Sequence, residues 1–178
     1  MGFSLPASMG AAFGRSDLPV ISISGDGGFQ MNSQELTTIV QHRLPIKIFV
    51  INNGFLGMVR QWQELFWSKR YSHVEMTSPD FVKLAEAHGC PAFRATVSSE
   101  VEDVITRAMG YTDGPVFVEF VVAQEDNVYP MIPAGQTVDE MLDTPLDTGD
   151  QATPVITIQK GVPSPSRKEA HGAIPVRH

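Results

Sequence analysis

The sequence contains one cysteine, Cys90, so no disulfide can close within the chain. That fits a reducing compartment and gives no sign of a secreted disulfide scaffold. No run of about 18 apolar residues occurs, so no segment reads as a membrane-spanning helix. Basic residues are the minority: 13 Lys and Arg stand against 20 Asp and Glu, for a net charge of −7. An acidic surface repels a phosphate backbone, which argues against nucleic acid as a partner. The start of the chain lacks the basic residues of a signal peptide, and Gly2, Pro6 and Gly10 interrupt any apolar stretch there. Several motifs are also missing. A dinucleotide fingerprint beginning at Gly25 would need glycine at position 30, which is Gln30; an EF-hand loop beginning at Asp26 would need Asp or Asn at position 28, which is Gly28. There is no G-K-[ST] triplet, no C-x-x-C, no H-E-x-x-H and no G-x-S-x-G elbow.

What is present is enough apolar character, 42% of 178 residues, for one domain with a packed core. Small residues from 5 to 14 suggest a short helix. PVISIS (19–24) reads as a β-branched strand running into a tight glycine turn at 25–28. Asn32 and Glu35 have the spacing of a capping box before a helix over 34–42. IKIFVIN (46–52) is apolar almost throughout, as strands buried on both faces of a parallel sheet are. A loop at 53–57 precedes a helix over 58–66, and Ser78-Pro79 reads as the N-cap and first turn of a helix ending at Gly89. Strands at 93–97 and 115–122 flank a helix over 99–109 with an acidic first turn. This alternation predicts an α/β fold with a mostly parallel sheet and helices on both faces. Residues 1–142 form the expected domain; residues 143–178, rich in Pro, Ser, Thr and charge, read as a disordered tail. Because the chain opens directly on what reads as a working segment, Met1 is expected to be an internal residue of a longer protein.

The chemistry concentrates at the ends of the first two strands. In a β-helix-β unit the strands are parallel, so Asp26 after the first and Asn52-Asn53 at the end of the second share one sheet edge. Ligands of open α/β sheets bind outside that edge. A carboxylate and an asparagine carbonyl are hard oxygen donors that suit Mg²⁺ with phosphate and water completing the shell. Gly25, Gly27 and Gly28 let backbone amides approach a phosphate, and the helix beginning near Met58 offers more. Taken alone, Asp-Gly and Asn-Gly are also ordinary turn dipeptides, and Asn53-Gly54 could be a hairpin turn. Met58 and Trp62 could be core at i, i+4 spacing, His42, His73 and His88 read as surface or capping groups, and Arg60, Lys69 and Arg70 as a solvated face.

GDG at 25–27, followed after 24 residues by Asn52-Asn53, resembles the signature of thiamine-diphosphate enzymes. MGFSLPASMGAA at the start, NNGFLGMVRQWQELF after the double asparagine and YPMIPAGQTVDEML (129–142) resemble segments of the acetolactate synthase large subunit, so the resemblance covers 1–142. It implies the thiamine-diphosphate-binding fold and a part in joining pyruvate to a second 2-keto acid, pyruvate or 2-ketobutyrate, with loss of CO₂, in branched-chain amino acid biosynthesis. It implies that Asp26, the Asn53 side chain and the main-chain oxygen of Phe55 bind Mg²⁺. Gly25, Gly27, Gly28, Leu56, Gly57 and Met58 would line the diphosphate, and Met1 would prop the cofactor. Met58, Val59, Trp62 and Ala134 would line the channel for substrate and inhibitor. No catalytic residue is assigned within the chain, because the activating glutamate of the family lies in a separate N-terminal domain; FAD likewise binds mostly in another domain. The chain alone is therefore expected to be inactive. A homodimer or tetramer, a regulatory small subunit, and a bacterial cytoplasm or a plastid are further implications. Many members carry Ser after GDG, where this chain has Gly28. Two other readings remain: another thiamine-diphosphate 2-keto acid enzyme (an oxidase, decarboxylase or glyoxylate carboligase), and a non-enzymatic Mg²⁺-nucleotide or assembly module on the same fold.

Overall fold

The computed structural model describes residues 1–124 and 126–143; the expected tail lies, apart from Asp143, outside the described residues. Four strands, β1 (Val20–Gly25), β2 (Ile46–Asn52), β3 (Ala92–Ala95) and β4 (Val116–Val121), form one sheet in the order β1-β2-β4-β3. Every pairing is parallel. The helices are α1 (Ser4–Gly14), α2 (Asp26–Gln30), α3 (Leu36–Gln41), α4 (Gly57–Phe66), α5 (Phe81–Ala87) and α6 (Ser98–Gly110).

Two cores flank the sheet. One joins Ile46, Ile48 and Val50 of β2 and Phe117 of β4 to Leu5 and Ala12 of α1, Phe29 of α2, Leu36 and Ile39 of α3, and Phe81 and Ala85 of α5. The other joins Val116, Val118 and Phe120 to Val104 and Ala108 of α6. A strand with apolar residues on both faces needs a cover on both, which is why β2 and β4 are the inner strands. β1 is an edge strand of the described sheet; its Ser22 is buried, but Ile21 and Ile23, on the opposite face, are exposed. Among the described residues no helix is long and apolar enough to cross a membrane.

Three helix starts differ in detail from what their local sequence signals predict. The glycine-rich stretch after β1 is not a tight turn: Gly25 is the N-cap of α2, and Asp26, Gly27 and Gly28 lie inside that short helix. Asn32 makes no capping hydrogen bond; its Nδ2 donates instead to the Gly2 carbonyl, tying the start of the chain to the segment after α2. A 3₁₀ turn, Ser33–Glu35, then leads into α3. Asp80, not Ser78, caps α5, its Oδ1 accepting from the Lys83 amide at 3.3 Å. Ser78 is occupied by Gln30, whose Nε2 donates to its hydroxyl at 3.0 Å. The acidic first turn of α6 does hold: the Glu100 carboxylate accepts from the Thr96 amide at 2.7 Å and the Val97 amide at 3.3 Å.

Cys90 is buried between α5 and β3, and burial pushes its thiol up to about 12. Loss of the proton inside the core is therefore disfavoured, and the thiolate is the reactive form. The expected result is no reaction with a disulfide reagent at pH 8 while the chain is folded, and one thiol released per chain in denaturant. Rapid stoichiometric labelling of the folded chain would show that α5 does not seal Cys90.

Candidate functional site

The register of β1 and β2 sets the site. Gly25 lies opposite Ile51, and Asn52 opposite Val121 of β4, so three strands end side by side. The chain leaves β1 as α2 and leaves β2 as the turn 53–56 before α4. Asp26 therefore faces the turn after β2, as the β-helix-β topology required. Its carboxylate is 2% exposed and bridges the two segments: Oδ1 accepts from the Gly27 amide at 2.9 Å, and Oδ2 from the Gly54 amide at 3.0 Å.

The two asparagines divide the work of shaping the turn. Asn52 Oδ1 also accepts from the Gly54 amide, at 3.1 Å. Asn53 Oδ1 accepts from the Phe55 amide at 3.1 Å. Gly54 has φ +70°, a left-handed conformation that glycine takes without the cost of a Cβ. The turn is then clamped from outside. The Leu56 amide donates to the Val74 carbonyl at 2.8 Å, and the Met76 amide to the Gly54 carbonyl at 2.9 Å. A hairpin turn at Asn53-Gly54 is excluded, since the strands it joins to are parallel and α4 follows.

Glycines keep this edge open. A Cβ on Gly27 would come within 2.9 Å of Met76 Sδ and 3.0 Å of a Leu56 methyl, and one on Gly57 within 3.1 Å of Asn53 Nδ2. A Cβ at Gly28 would sit 3.1 Å from the Ser24 hydroxyl and 4.0 Å from the Gly2 amide, so the start of the chain stands beside α2. A serine side chain at position 28 would thus meet Ser24. The donor set at the edge is one carboxylate with amide and main-chain carbonyls. Among the described residues no group of three or more His, Cys, Asp or Glu gathers around a cation. Such an oxygen set with one negative charge suits Mg²⁺ shared with a phosphate, not zinc or a stand-alone calcium loop. Burial raises the Asp26 pKa above the ordinary carboxylate range, opposed by the Gly27 and Gly54 amides and aided slightly by the Glu119 charge. A cation would reverse that balance by favouring the ionised form.

The remaining expected residues are in different states. Met58 and Val59 are exposed on the first turn of α4, and Met1 is 99% exposed. Trp62 is half-buried, its ring packed edge-on against Phe66 at 5.3 Å. Ala134 is exposed, three residues beyond Met131. Gln61, which the sequence did not single out, holds that segment to α4. Its amide pairs with both backbone groups of Val128 at 2.8 Å and its Nε2 lies 3.0 Å from Met131 Sδ. Arg60 reads in the sequence as part of a solvated face, but in the structure it is buried. Its guanidinium lies over the rings of Phe55 and Tyr71, and 3.4 Å from Glu64. A lone charge in MVRQW carries no signal of the aromatic cover that the 53–56 and 71–76 segments provide. Glu119 and Arg94 were also missed, although a carboxylate inside the buried run VFVEFV is itself a signal, since buried charges need partners.

The family described as "Thiamine pyrophosphate enzyme, C-terminal TPP binding domain" matches residues 1–120. Acetolactate synthase from Mycobacterium avium is 49% identical over 146 residues, 79% of this chain and 24% of the relative. The acetolactate synthase large subunit of Cyanidium caldarium is 46% identical over 144 residues, 80% of this chain and 24% of the relative. The chain thus spans about a quarter of the length of the curated relatives it matches. Among solved structures, the thiamine diphosphate-dependent 4-hydroxybenzoylformate decarboxylase of Rhodococcus jostii RHA1 superposes with a TM-score of 0.65 at 27% identity, over 69% of this chain and 23% of that one. Family match, parallel sheet and the paired GDG and Asn-Asn segments at one edge agree: the chain belongs to the thiamine pyrophosphate enzymes, as a C-terminal TPP-binding domain.

Proposed function

We propose that the chain is the diphosphate-binding part of an acetolactate synthase large subunit, which joins two 2-keto acids with loss of CO₂. One observation carries this choice within the family. Identity near 47% to acetolactate synthases runs over 79% of the chain, past the 120 residues that the general thiamine pyrophosphate domain accounts for. The added stretch contains YPMIPAG, at the end where Gln61 grips Val128.

In this reading Asp26, the Asn53 side chain and the Phe55 carbonyl hold Mg²⁺, and Gly25, Gly27, Gly28, Leu56, Gly57 and Met58 face the diphosphate. When bound, thiamine diphosphate supplies the carbanion stabilisation that decarboxylation and carbon–carbon bond formation require. The chain's own contribution is to fix the diphosphate end. Its buried carboxylate neutralises the cation, and its glycines admit phosphate oxygens close to backbone amides. Met1 supports the cofactor from the start of the chain. Met58, Val59, Trp62 and Ala134 form an apolar approach that sheds water from the reacting keto acid. The proton-transferring glutamate, a second copy of the subunit and a regulatory small subunit complete the proposal from outside this chain, and FAD binds mostly outside it.

The test is product analysis from pyruvate on the polypeptide extended upstream to the length of its relatives, with thiamine diphosphate, Mg²⁺ and FAD. Acetolactate is the expected product. Acetaldehyde or acetyl phosphate would move the protein to a decarboxylase or an oxidase, the alternative that the Rhodococcus jostii structural likeness keeps in view. Binding of a different phosphate ligand without turnover would favour the non-enzymatic module.

A further inference from the structure

Behind the turn at the sheet edge runs a chain of charge-assisted hydrogen bonds across three strands. Glu119 of β4 is 2% exposed, yet both its oxygens are occupied. Oε1 accepts from Asn52 Nδ2 at 2.7 Å and Oε2 from Arg94 Nε on β3 at 2.6 Å. Arg94 extends the chain, its second donor meeting Asp80 Oδ1 at 2.6 Å, and Asp80 is the N-cap of α5. At the other end, Asn52 turns its carbonyl oxygen to the Gly54 amide, which it shares with Asp26.

A carboxylate only accepts, whereas a primary amide has a donor end and an acceptor end. Glu119 therefore allows Asn52 a single orientation: nitrogen toward the carboxylate, oxygen toward Gly54. With the oxygen there, the Gly54 amide is held between Asn52 and Asp26, and the turn that presents Asn53 and Phe55 has one position. Arg94 keeps the carboxylate aimed, and Asp80 fixes Arg94 against α5. We propose that Glu119 and Arg94 are positioning residues for the Mg²⁺-diphosphate turn, acting through the orientation of the Asn52 amide. This rests on the metal-site reading given above for Asp26 and Asn53.

Replacing the carboxylate by an amide makes the logic testable. In Glu119→Gln, keeping the oxygen on Arg94 sends the new NH₂ toward Asn52. Two donors then face one another, and Asn52 relieves this by flipping, which points its own NH₂ at the Gly54 amide. Arg94→Lys retains a charge but not two donors at a fixed angle. The experiment compares the parent chain, Glu119→Gln, Arg94→Lys and Asp26→Asn by two readouts. One is backbone hydrogen exchange at Gly54, with Val118 in the β4 core as the internal reference. The other is Mn²⁺ affinity in the presence of thiamine diphosphate, followed by electron paramagnetic resonance.

Glu119→Gln should speed exchange at Gly54 about tenfold while Val118 is unchanged, and weaken Mn²⁺ about tenfold, the scale of one lost charge-assisted bond. Arg94→Lys should show the same pattern at about threefold, as a partial rescue. Should Glu119→Gln fail to fold, Arg94→Lys decides alone. Faster exchange at Gly54 and Val118 together would mean a purely structural role and overturn the proposal, as would unchanged Gly54 exchange. If the parent chain and Asp26→Asn take up Mn²⁺ equally, the metal-site reading fails, while the Gly54 exchange still decides whether Glu119 orients the turn.

Discussion

Asp26→Asn is expected to leave the chain folded and to weaken Mg²⁺-dependent binding of thiamine diphosphate by more than about a hundredfold, the upper end of what changes behind a metal's own ligands cost. The substitution is nearly isosteric, and an amide oxygen can still accept from the Gly27 or Gly54 amide. What it removes is the only carboxylate of the proposed donor set, and with it the charge that holds a divalent cation beside an anionic diphosphate. The folded state loses one hydrogen bond, because the new NH₂ faces whichever of those two backbone amides the oxygen does not accept from, at a cost of about 1–3 kcal/mol. Burial raises the Asp26 pKa, so the folded chain holds that proton more tightly than the unfolded chain does. A carboxyl raised in this way costs stability as pH climbs from the ordinary carboxylate range through the raised value. The variant's deficit against the cation-free parent should therefore be smaller at neutral pH, where the buried carboxylate costs the parent stability, than in acid. Calorimetric titration with thiamine diphosphate, with and without Mg²⁺, checks the binding; denaturant melts at several pH values check the stability. Equal Mg²⁺-dependent binding by parent and variant would remove Asp26 from the site.

Phe29→Ala should lower stability by about 3–5 kcal/mol, the range for emptying a fully buried aromatic site. Phe29 is buried on α2, three residues after Asp26, and its ring lies 5.6 Å from Phe81 of α5 and 5.2 Å from Phe117 of β4. Those contacts anchor a helix of five residues, too short to persist by its own hydrogen bonds. The ring is thus the fastener that holds the Asp26 end of the site onto the sheet. The expected readout is a lower urea midpoint with an unchanged slope, and weaker Mg²⁺-dependent cofactor binding at temperatures where the chain remains folded. A loss below about 1 kcal/mol would mean that the aromatic cluster closes over the gap. Full cofactor affinity in the folded variant would mean that the site does not depend on how α2 is seated.

How much of this was legible beforehand follows from what fixes each feature. The juxtaposition of Asp26 with the Asn52-Asn53 turn was legible because parallel strands joined by a helical crossover leave no other arrangement of their ends. β2 and β4 were legible because an uninterrupted apolar run needs cover on both faces. The form of the Gly25–Gly28 stretch was not: its glycines read as a turn, and the packing of Phe29 makes it a helix. Asn32 had the spacing of a cap, but the Gly2 carbonyl competes for its side chain, a contact thirty residues away in sequence. Arg60 and Gln61 sit at positions whose burial depends on segments 71–76 and 127–131, so no local pattern could report it. Glu119 was the missed opportunity, a charge in a buried strand that called for partners on the neighbouring strands.

The carboxyl edge of β1 and β2 is expected to bind a divalent cation and a diphosphate together. A crystal of the chain grown with Mn²⁺ and thiamine diphosphate, with anomalous diffraction recorded for manganese, tests it most directly. The expected result is one anomalous peak about 2.1–2.2 Å from oxygens of Asp26, Asn53 and Phe55, on the scale of small divalent ions, with the diphosphate against Gly27 and Gly57. A cation or diphosphate bound elsewhere, with that edge left free, would contradict it.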